Sequence, residues 1–406
     1  MSEMSYLEKL LDGVEVEWRN LGDTSLFEIA NNGRKPVKAS LRIAGETPYY
    51  GANNIQDYVD GYTHDGEYVL IAEDGSASLE NYSIQYATGK FWANNHVHVV
   101  RGKERVHSRF LYHYLCIVNF LPFLTGGGRA KLTKGQLIEI PVPIPCPDNP
   151  EKSLAIQSEI VRILDKFTAL TAELTAELTA ELNMRKKQYN YYRDQLLSFK
   201  EGEVEWKTLE EVLVDKFWIM PATPKFDDNG EIPYVTSKNI SGGNIDFERV
   251  KHISRDDFLR ISKNRPILKG DFLISMIGTI GEIARVKCLD PDFYGQNMYL
   301  IRLNEELLHP RYFLHFFDSP RMKFYFKSVK NNSGQGYLKA NNIDGLSIPL
   351  PSIDEQQKIA FILDKFDTLT NSINEGLPRE IELRQKQYEY YRDLLFSFPK
   401  PDTVNQ

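Results

Sequence analysis

The sequence repeats itself, and this duplication constrains the fold more than any other feature of the chain. Over the 37 positions from Ile163 to Phe199, 20 residues are identical to those found 199 positions later. A shorter match lies upstream, where Val16-Glu17-Trp18 returns as Val204-Glu205-Trp206. Self-similarity on this scale is the signature of two copies of one structural unit. Small drifts in the offset between the copies are expected from loop insertions. We therefore predict two pseudo-symmetric halves.

The composition is that of a folded protein. The 406 residues are 42% hydrophobic and 26% charged, with a formal net charge of −7. This excludes a disordered chain and a uniformly cationic surface, although it allows a local basic patch. The cysteines, Cys116, Cys146 and Cys288, lack metal-ligand spacing and indicate a reducing compartment. The longest apolar stretch, Phe110 to Leu124, is too short to span a bilayer, so we expect a cytoplasmic protein.

Each half begins with a stretch that has the features of a globular domain. Residues 13–150 and 202–350 contain short β-rich runs between turn residues, including Gly66–Ala72 and Gly270–Ser275. We assign the fold class as α+β (mixed α/β). The predicted division is a first domain at 1–150, a central helix at 151–200, a second domain at 201–351, and a C-terminal helix and tail at 352–406.

A long helix follows each domain. Apolar side chains recur at spacings of three and four over residues 151–199, without Gly or Pro, which predicts a helix of about 45 residues. The second helix is expected to kink or break at Gly376 and Pro378. A stripe this long needs a partner, so we predict an antiparallel coiled coil; alternatively, each helix only covers its own domain. The spacer seam contains Leu174, Leu178, Leu182, Ile373, Leu377 and Ile381.

A further match concerns the N-terminus. Leu10-Leu11 precedes Val16 much as Leu196-Leu197 precedes Val204. The start of the chain therefore resembles the end of a helical block. We predict that it packs beside the end of the second helix.

Three motifs together resemble those of one known family. They are Ile348–Phe366 (IPLPSIDEQQKIAFILDKF), Asp271–Gly281 (DFLISMIGTIG) and the Thr-Ala-Glu-Leu unit, which occurs three times between Thr171 and Leu182. The chain resembles the specificity subunits (HsdS) of type I restriction–modification systems, and the triple repeat resembles their type IC group. The first half departs from this pattern, with Ile156-Gln157 for Glu355-Gln356 and Glu73-Asp74-Gly75 for Gly-Thr-Ile-Gly.

The resemblance implies a DNA sequence-specificity subunit. Each globular domain would be a target recognition domain that reads one half of a bipartite site in double-stranded DNA. The helices would set the spacer length and dock two modification (adenine methyltransferase) subunits, and restriction or motor subunits would complete the complex. The chain itself would be non-catalytic and would bind no cofactor; S-adenosylmethionine, ATP and Mg are expected on the partner subunits. No membrane partner is expected.

The repeated Thr-Ala-Glu-Leu unit has a structural and a functional interpretation. Structurally, it is a regular stretch of helix made of strong helix formers. Functionally, it is a spacer that separates the two globular domains. One unit adds about 6 Å and about 40° beyond a full turn. That rotation is close to one base-pair step of B-DNA, whereas the added length is nearer two steps.

Two zones combine basic side chains with few acids. Residues 94–138 carry seven Lys or Arg and one acid, Glu104, and residues 319–343 carry five with no acid. Such clusters suit phosphate contacts, and polar side chains in Gly-rich loops suit base contacts. An ordinary solvated surface is the alternative. The candidate DNA-binding residues are Arg101, Lys103, Arg105, Arg129, Lys131, Lys134, Arg321, Lys323, Lys327, Lys330, Gln335 and Lys339.

The repeated tyrosine block suits core packing or a partner interface better than base stacking. Its candidate interface residues are Tyr189, Tyr192, Arg193, Tyr388, Tyr391 and Arg392. No catalytic site is predicted, because Walker, dinucleotide, zincin and nucleophile-elbow motifs are all missing. No metal site is predicted either: His96 and His98 alternate on a predicted strand, where core or DNA-facing roles are favoured. The alternatives are a duplicated protein–protein scaffold without DNA readout, and an autonomous nuclease or methyltransferase.

Overall fold

The computed structural model describes residues 6–126, 130–331, 336–372 and 375–399. Its α-helices are α1 (Tyr6–Leu11), α2 (Ser108–Leu115), α3 (Lys134–Leu137), α4 (Pro150–Leu196), α5 (Arg255–Ser262), α6 (Pro310–Phe317), α7 (Pro320–Val329), α8 (Ala340–Asp344), α9 (Ile353–Asn371) and α10 (Leu377–Leu395).

The strands fall into two sets separated by α4. Those before α4 are β1 (Val16–Asn20), β2 (Phe27–Ile29), β3 (Ala44–Tyr50), β4 (Ile55–Val59), β5 (His64–Asp65), β6 (Tyr68–Ala72), β7 (Ile84–Ala87), β8 (Lys90–Ala93), β9 (Val97–Gly102) and β10 (Pro141–Pro145). Those after α4 are β11 (Glu205–Thr208), β12 (Leu213–Ile219), β13 (Ile232–Val235), β14 (Ile240–Ser241), β15 (Asn244–Ile245), β16 (Lys251–Ile253), β17 (Phe272–Ser275), β18 (Ile283–Arg285), β19 (Tyr294–Gly295), β20 (Met298–Leu303) and β21 (Ser347–Leu350).

The chain forms two compact units. The first comprises the chain up to Glu177 together with the residues from Glu382 onward, and the second runs from Leu178 to Ile381. Each unit therefore contains one globular domain and segments of more than one helix.

The sheet topology is duplicated, as the internal repeat predicts. In the first unit, a sheet of order β2-β9-β6-β7 lies beside a sheet of order β4-β3-β8-β5. In the second, the corresponding orders are β12-β20-β17-β18 and β16-β13-β19. One parallel pair recurs within otherwise antiparallel sheets: β3 with β8, and β13 with β19. The mixed α/β fold class and the pseudo-symmetry are thus confirmed.

A two-stranded ladder explains why the Val-Glu-Trp and Pro-rich motifs recur together. Strand β1 pairs antiparallel with β10, and Trp18 lies opposite Pro143. Strand β11 pairs with β21 in the same way, and Trp206 lies opposite Pro349. Proline lacks the N–H that a central strand needs, and a ladder of two strands has only edges. The prolines are therefore compatible with pairing.

The core of the first unit joins the two ends of the chain. Leu7 and Leu11 of α1 are buried in the same cluster as Leu395 and Phe396 at the end of α10. The indole Nε1 of Trp18 also donates a hydrogen bond of 2.8 Å to the carbonyl oxygen of Pro399. The predicted packing of the N-terminus beside the end of the second helix is confirmed.

Helix α4 is continuous over its 47 residues, whereas the second long helix is split. Helix α9 ends at Asn371 and α10 begins at Leu377, with Pro378 in its first turn. Gly376 has φ +80°, and a Cβ there would lie 2.6 Å from the carbonyl oxygen of Thr368. Only glycine fits this backbone, so the expected kink or break is a break. Ile373 lies outside the described residues.

The helices contact each other through the repeated blocks. In the first unit, α4 and α10 run antiparallel, with the rings of Phe167 and Tyr391 stacked at 5.4 Å. In the second, the ring of Phe366 on α9 stacks on Tyr192 of α4 at 5.5 Å. Antiparallel helix packing is therefore confirmed. The seam residues Leu174, Leu178, Leu182, Leu377 and Ile381 are half-buried.

Candidate nucleic-acid interface

A glycine-rich loop in the first unit is tied at its base to the central sheet. The backbones of Thr125 and Lys131 exchange hydrogen bonds of 2.9 and 2.8 Å. The next residue, Leu132, donates its N–H to the carbonyl oxygen of Glu73, immediately after β6. Lys134 is exposed at the start of α3. The tip of the loop, with Arg129, lies outside the described residues.

The second unit has an equivalent loop. The backbones of Asn331 and Tyr337 exchange hydrogen bonds of 3.0 and 3.2 Å. Leu338 donates its N–H to the carbonyl oxygen of Met276, immediately after β17. Gln335 lies outside the described residues. The two predicted reading loops are therefore tethered in the same way to the same part of each duplicated fold.

Glu73, the first residue after β6, stands where the second unit has Met276, and it binds two cations. Its carboxylate accepts hydrogen bonds from Arg34 at 2.6 Å and Lys131 at 3.0 Å. Burial alone would raise the pKa of Glu73, but these two cations outweigh it and hold the pKa below its ordinary value. Lys131 therefore forms an ion pair within the unit, although 46% of its side chain remains exposed.

In the second unit, the Gly-Thr-Ile-Gly turn makes room for α7. Gly278 and Gly281 have φ of +81° and +79°. A Cβ at Gly281 would lie 2.7 Å from the ring of Phe326, which is buried on α7. The motif is therefore a packing requirement of this unit.

The basic side chains of the first unit, Arg101, Lys103 and Arg105, are bonded to acceptors within the unit, which the sequence did not indicate. Arg101 donates a hydrogen bond of 2.6 Å to Glu28 on the neighbouring strand. Lys103 and Arg105 donate to backbone carbonyl oxygens of the same unit. These side chains line a concave surface together with Glu28, Glu67 and Glu104. The expectation of a single acid in this zone is wrong in space, because Glu28 on β2 and Glu67, just before β6, lie on the same surface.

The basic zone of the second unit is more accessible. Helix α7 exposes Arg321 and Lys327, which have no hydrogen-bonded or ionic partner among the described residues. Lys323 forms an ion pair of 2.7 Å with Asp318 and keeps 49% of its side chain exposed. Of the other candidates, Lys330 is half-buried and Lys339 is exposed.

A partly buried polar cluster attaches the second globular domain to α9. The carboxylate of Asp364 lies 2.6 Å from Nε2 of His315 and accepts a 2.8 Å hydrogen bond from Nε of Arg311. The other ring nitrogen of His315 lies 3.0 Å from the hydroxyl of Tyr189 on α4. Burial would raise the pKa of Asp364, but its two donors lower it to about 2. We call this set the Asp364 clamp.

The first unit has the same cluster. Asp165 on α4 lies 2.7 Å from Nε2 of His113 and accepts a 2.9 Å hydrogen bond from Arg109. Burial lowers the pKa of His113, whereas His113 and Arg109 hold the pKa of Asp165 below its ordinary value against burial. These residues were not among the sequence-based candidates. Their signal was an Arg and a His four apart on a helix in both halves.

A buried glutamine accepts a backbone hydrogen bond from the residue just before each helix that carries the Arg and His of a cluster, α2 in the first unit and α6 in the second. Gln157 accepts a 2.8 Å hydrogen bond from the N–H of His107, and Gln356 accepts one of 2.8 Å from His309. Neither glutamine has any exposed surface. The glutamine of each Ile-Gln or Glu-Gln pair is therefore structural, and the residue before it is free to differ.

The predicted partner-interface residues divide into two groups. Tyr189 and Arg193 are 6% and 5% exposed inside the second unit, which leaves them no surface for a partner and corrects that assignment. Tyr192 and Tyr391 are 45% and 37% exposed, each with one face stacked on a phenylalanine. The remaining two are half-buried: Tyr388, which is hydrogen-bonded to Thr168, and Arg392, which is paired with Asp393.

The histidines of the first basic zone have ordinary partners. His96 precedes β9, where it is half-exposed and bonded to Asp74. His98 on β9 is buried and lies 2.7 Å from the carbonyl oxygen of Leu132. Across the described ranges, no three His, Cys, Asp or Glu side chains are arranged to hold a metal ion. Nor does any helix in those ranges have the length and hydropathy needed to cross a bilayer.

A family model and individual relatives both assign the chain to the same protein family. Residues 14–184 and 202–383, the two copies of the duplicated fold, match the family described as type I restriction modification DNA specificity domain. The chain belongs to this family. It is 48% identical over 405 residues to S.HindORF215P of Haemophilus influenzae, named as a type I restriction enzyme specificity subunit, covering 97% of this chain and 98% of that one. It is 40% identical over 433 residues to the EcoR124I/EcoR124II specificity subunit of Escherichia coli, covering both chains fully.

A solved structure shares the fold across nearly the whole chain. It comes from work on complex assembly and conformational transition of the type I R-M system. The TM-score is 0.59 at 15% sequence identity, covering 94% of this chain and 97% of that chain. The family and the fold class predicted from the sequence are thus both confirmed, and nothing in the comparisons supports a pure protein–protein scaffold.

Proposed function

We propose that this specificity subunit reads a bipartite sequence in double-stranded DNA, with one half-site for each globular domain. The observation that carries the proposal is the pair of equivalent glycine-rich loops, tethered after β6 and after β17. A duplicated fold that presents the same loop twice suits two separate recognition events. Base readout requires polar side chains at groove depth, and the flanking cations supply sequence-independent attraction to phosphate.

The helices act as the spacer in this proposal. Helix α4 is 47 residues long and, at a rise of about 1.5 Å per residue, spans about 70 Å. Its uninterrupted course suits the proposed role of a spacer. The Thr-Ala-Glu-Leu repeats fall in its middle, where they contribute half-buried leucines.

Two modification subunits, with adenine methyltransferase activity, dock on the helices. Partly exposed aromatic rings support this placement, because Tyr192 and Tyr391 occupy equivalent positions in the two units. Such amphipathic rings are enriched at protein interfaces. Restriction or motor subunits complete the assembly. S-adenosylmethionine, ATP and Mg bind to the partner subunits, and this chain performs no chemistry of its own.

The test is selection of sequences from a random duplex library by the chain in complex with its modification subunit. Two short motifs separated by a fixed, unread gap are expected. Exchanging residues 202–350 for the second domain of a relative should then change one motif and leave the other intact. No enrichment of any split sequence would refute DNA readout, and a simultaneous change of both motifs would refute independent reading.

A further inference from the structure

Helix α7 packs one face into the core of the second unit and exposes the opposite face. Met322 and Phe326 point into the core, with Tyr325 and Val329 packed beside them, which is the three-and-four spacing of a buried helical stripe. At 100° per residue, Phe324 and Lys327 lie on the opposite side of the helix.

The most exposed residue on that face is a phenylalanine. Phe324 is 75% exposed, although burial of such a side chain would stabilise the fold. Its neighbours Tyr325 and Phe326 both pack inward. The sequence therefore places an aromatic ring where the fold gains nothing from it, which points to a contact outside the chain.

The surroundings of Phe324 identify the partner by charge. Arg321 and Lys327 are exposed and lack internal partners among the described residues, and Lys323 is half-exposed. No acid occurs between residues 319 and 343. An exposed aromatic side chain surrounded by cations is complementary to a polyanion that also has apolar surface. Duplex DNA is such a partner, because its phosphates attract the cations and its grooves expose apolar base edges.

Helix α7 is also continuous with the reading loop of its unit. It ends at Val329, two residues before Asn331 closes the loop base with Tyr337. Gly336 has φ +72°, and a Cβ there would meet the Lys330 side chain. The C-terminal end of the helix and the base of the loop are therefore adjacent, so a duplex contacted by the loop would lie near the helix.

Among its described residues, the first unit has no counterpart of this helix. The described part of the corresponding stretch holds a short 3-10 turn at Leu121–Phe123, and no Lys or Arg occurs in the sequence from Phe110 to Gly128. The feature therefore distinguishes the two reading domains, and its effect should be confined to one half-site.

We propose that Phe324 is a specificity-determining residue of the second domain, in apolar contact with base edges of duplex DNA while Arg321 and Lys327 contact phosphates beside it. This rests on the proposed function, because it assumes that the second unit reads DNA.

The test compares three single variants of the full chain in complex with its modification subunit. Phe324→Ala is expected to weaken binding to the selected site by about 10-fold or more, as loss of an apolar contact predicts. The slope of log affinity against log salt should not change, because no cation is removed. Lys327→Ala should weaken binding and reduce the magnitude of that slope by about 0.9. Leu289→Ala, which removes another side chain exposed at 73% in this unit, should have no effect.

Library selection then separates the two possible failures. If the unaltered complex selects no split sequence, the proposed function fails before the variants are considered. If it does select one, Phe324→Ala should blur one or two positions of a single half-site, and Phe324→Leu should largely retain them. An unchanged selected sequence for Phe324→Ala, at unchanged affinity, would overturn the assignment of Phe324.

Discussion

Replacing Asp364 with Asn tests whether the Asp364 clamp holds the second domain to α9. The pKa of this carboxyl is about 2 against an ordinary 3.8, and each pKa unit corresponds to about 1.36 kcal/mol. The carboxylate therefore contributes at most about 2.4 kcal/mol. Because 37% of the side chain is exposed, solvent screening reduces this to about 1 kcal/mol. For a unit of this size, that lowers the melting temperature by about 2–4 °C.

The pH dependence has a definite sign. A carboxyl whose pKa is depressed in the folded state stabilises the protein fully above its unfolded pKa, and it loses this contribution as pH falls through the folded value. The stability difference between the unaltered chain and Asp364→Asn should therefore be constant from pH 8 to about 5. It should shrink between about pH 4 and pH 2.

The matched control is Asp367→Asn. This carboxylate lies one turn further along α9 and 3.8 Å from Arg311, and 42% of its side chain is exposed. Its removal should cost no more than a weak surface ion pair, about 0.5 kcal/mol. Urea denaturation of each variant provides the comparison. The clamp would be refuted if the two variants lost the same free energy of unfolding. It would also be refuted if the stability difference between the unaltered chain and Asp364→Asn were unchanged at pH 2.5.

Two further changes test the helices. Deleting Thr179–Leu182, one Thr-Ala-Glu-Leu unit, should change the tolerated gap by about one base pair in a library selection; altered half-sites would contradict the spacer role. Gly376→Ala should destabilise the second unit by about 2 kcal/mol, because it adds a clash with Thr368 to an unfavourable φ, whereas Gly242→Ala, at φ +54° with open space, should cost only about 1 kcal/mol. Equal unfolding free energies for these two variants would show that the tight turn is not required.

Local patterns predicted the helices well. The long apolar stripe located α4 to within a few residues, because a helix depends on contacts three and four positions apart. The break before α10 followed from Gly376 and Pro378 for the same reason. The duplication gave the pseudo-symmetry without any knowledge of the strand order, since two similar sequences fold alike.

The charge of the candidate surface could not be predicted from a window of sequence. Arg101 was assigned to a zone with one acid, yet Glu28 reaches it from a strand 73 residues away. The second basic zone differs because Arg321, Lys323 and Lys327 lie on the outer face of one helix, where neighbours in space are also neighbours in sequence. Sequence windows are thus informative for α7 and misleading for β9, since strands pair with distant partners.

The positions of the repeats along the chain do not coincide with the compact units. Phe110 packs against Phe396 and Phe398, which follow α10, whereas the core of the second unit contains Leu197, which follows α4. Each globular domain is thus completed by the end of the long helix that follows the other domain: α4 follows the first domain and completes the second, and α10 follows the second and completes the first. Neither copy of the repeat therefore contains all the side chains of one core. A single copy would therefore lack part of its core. The helices that set the proposed spacer also complete both reading domains.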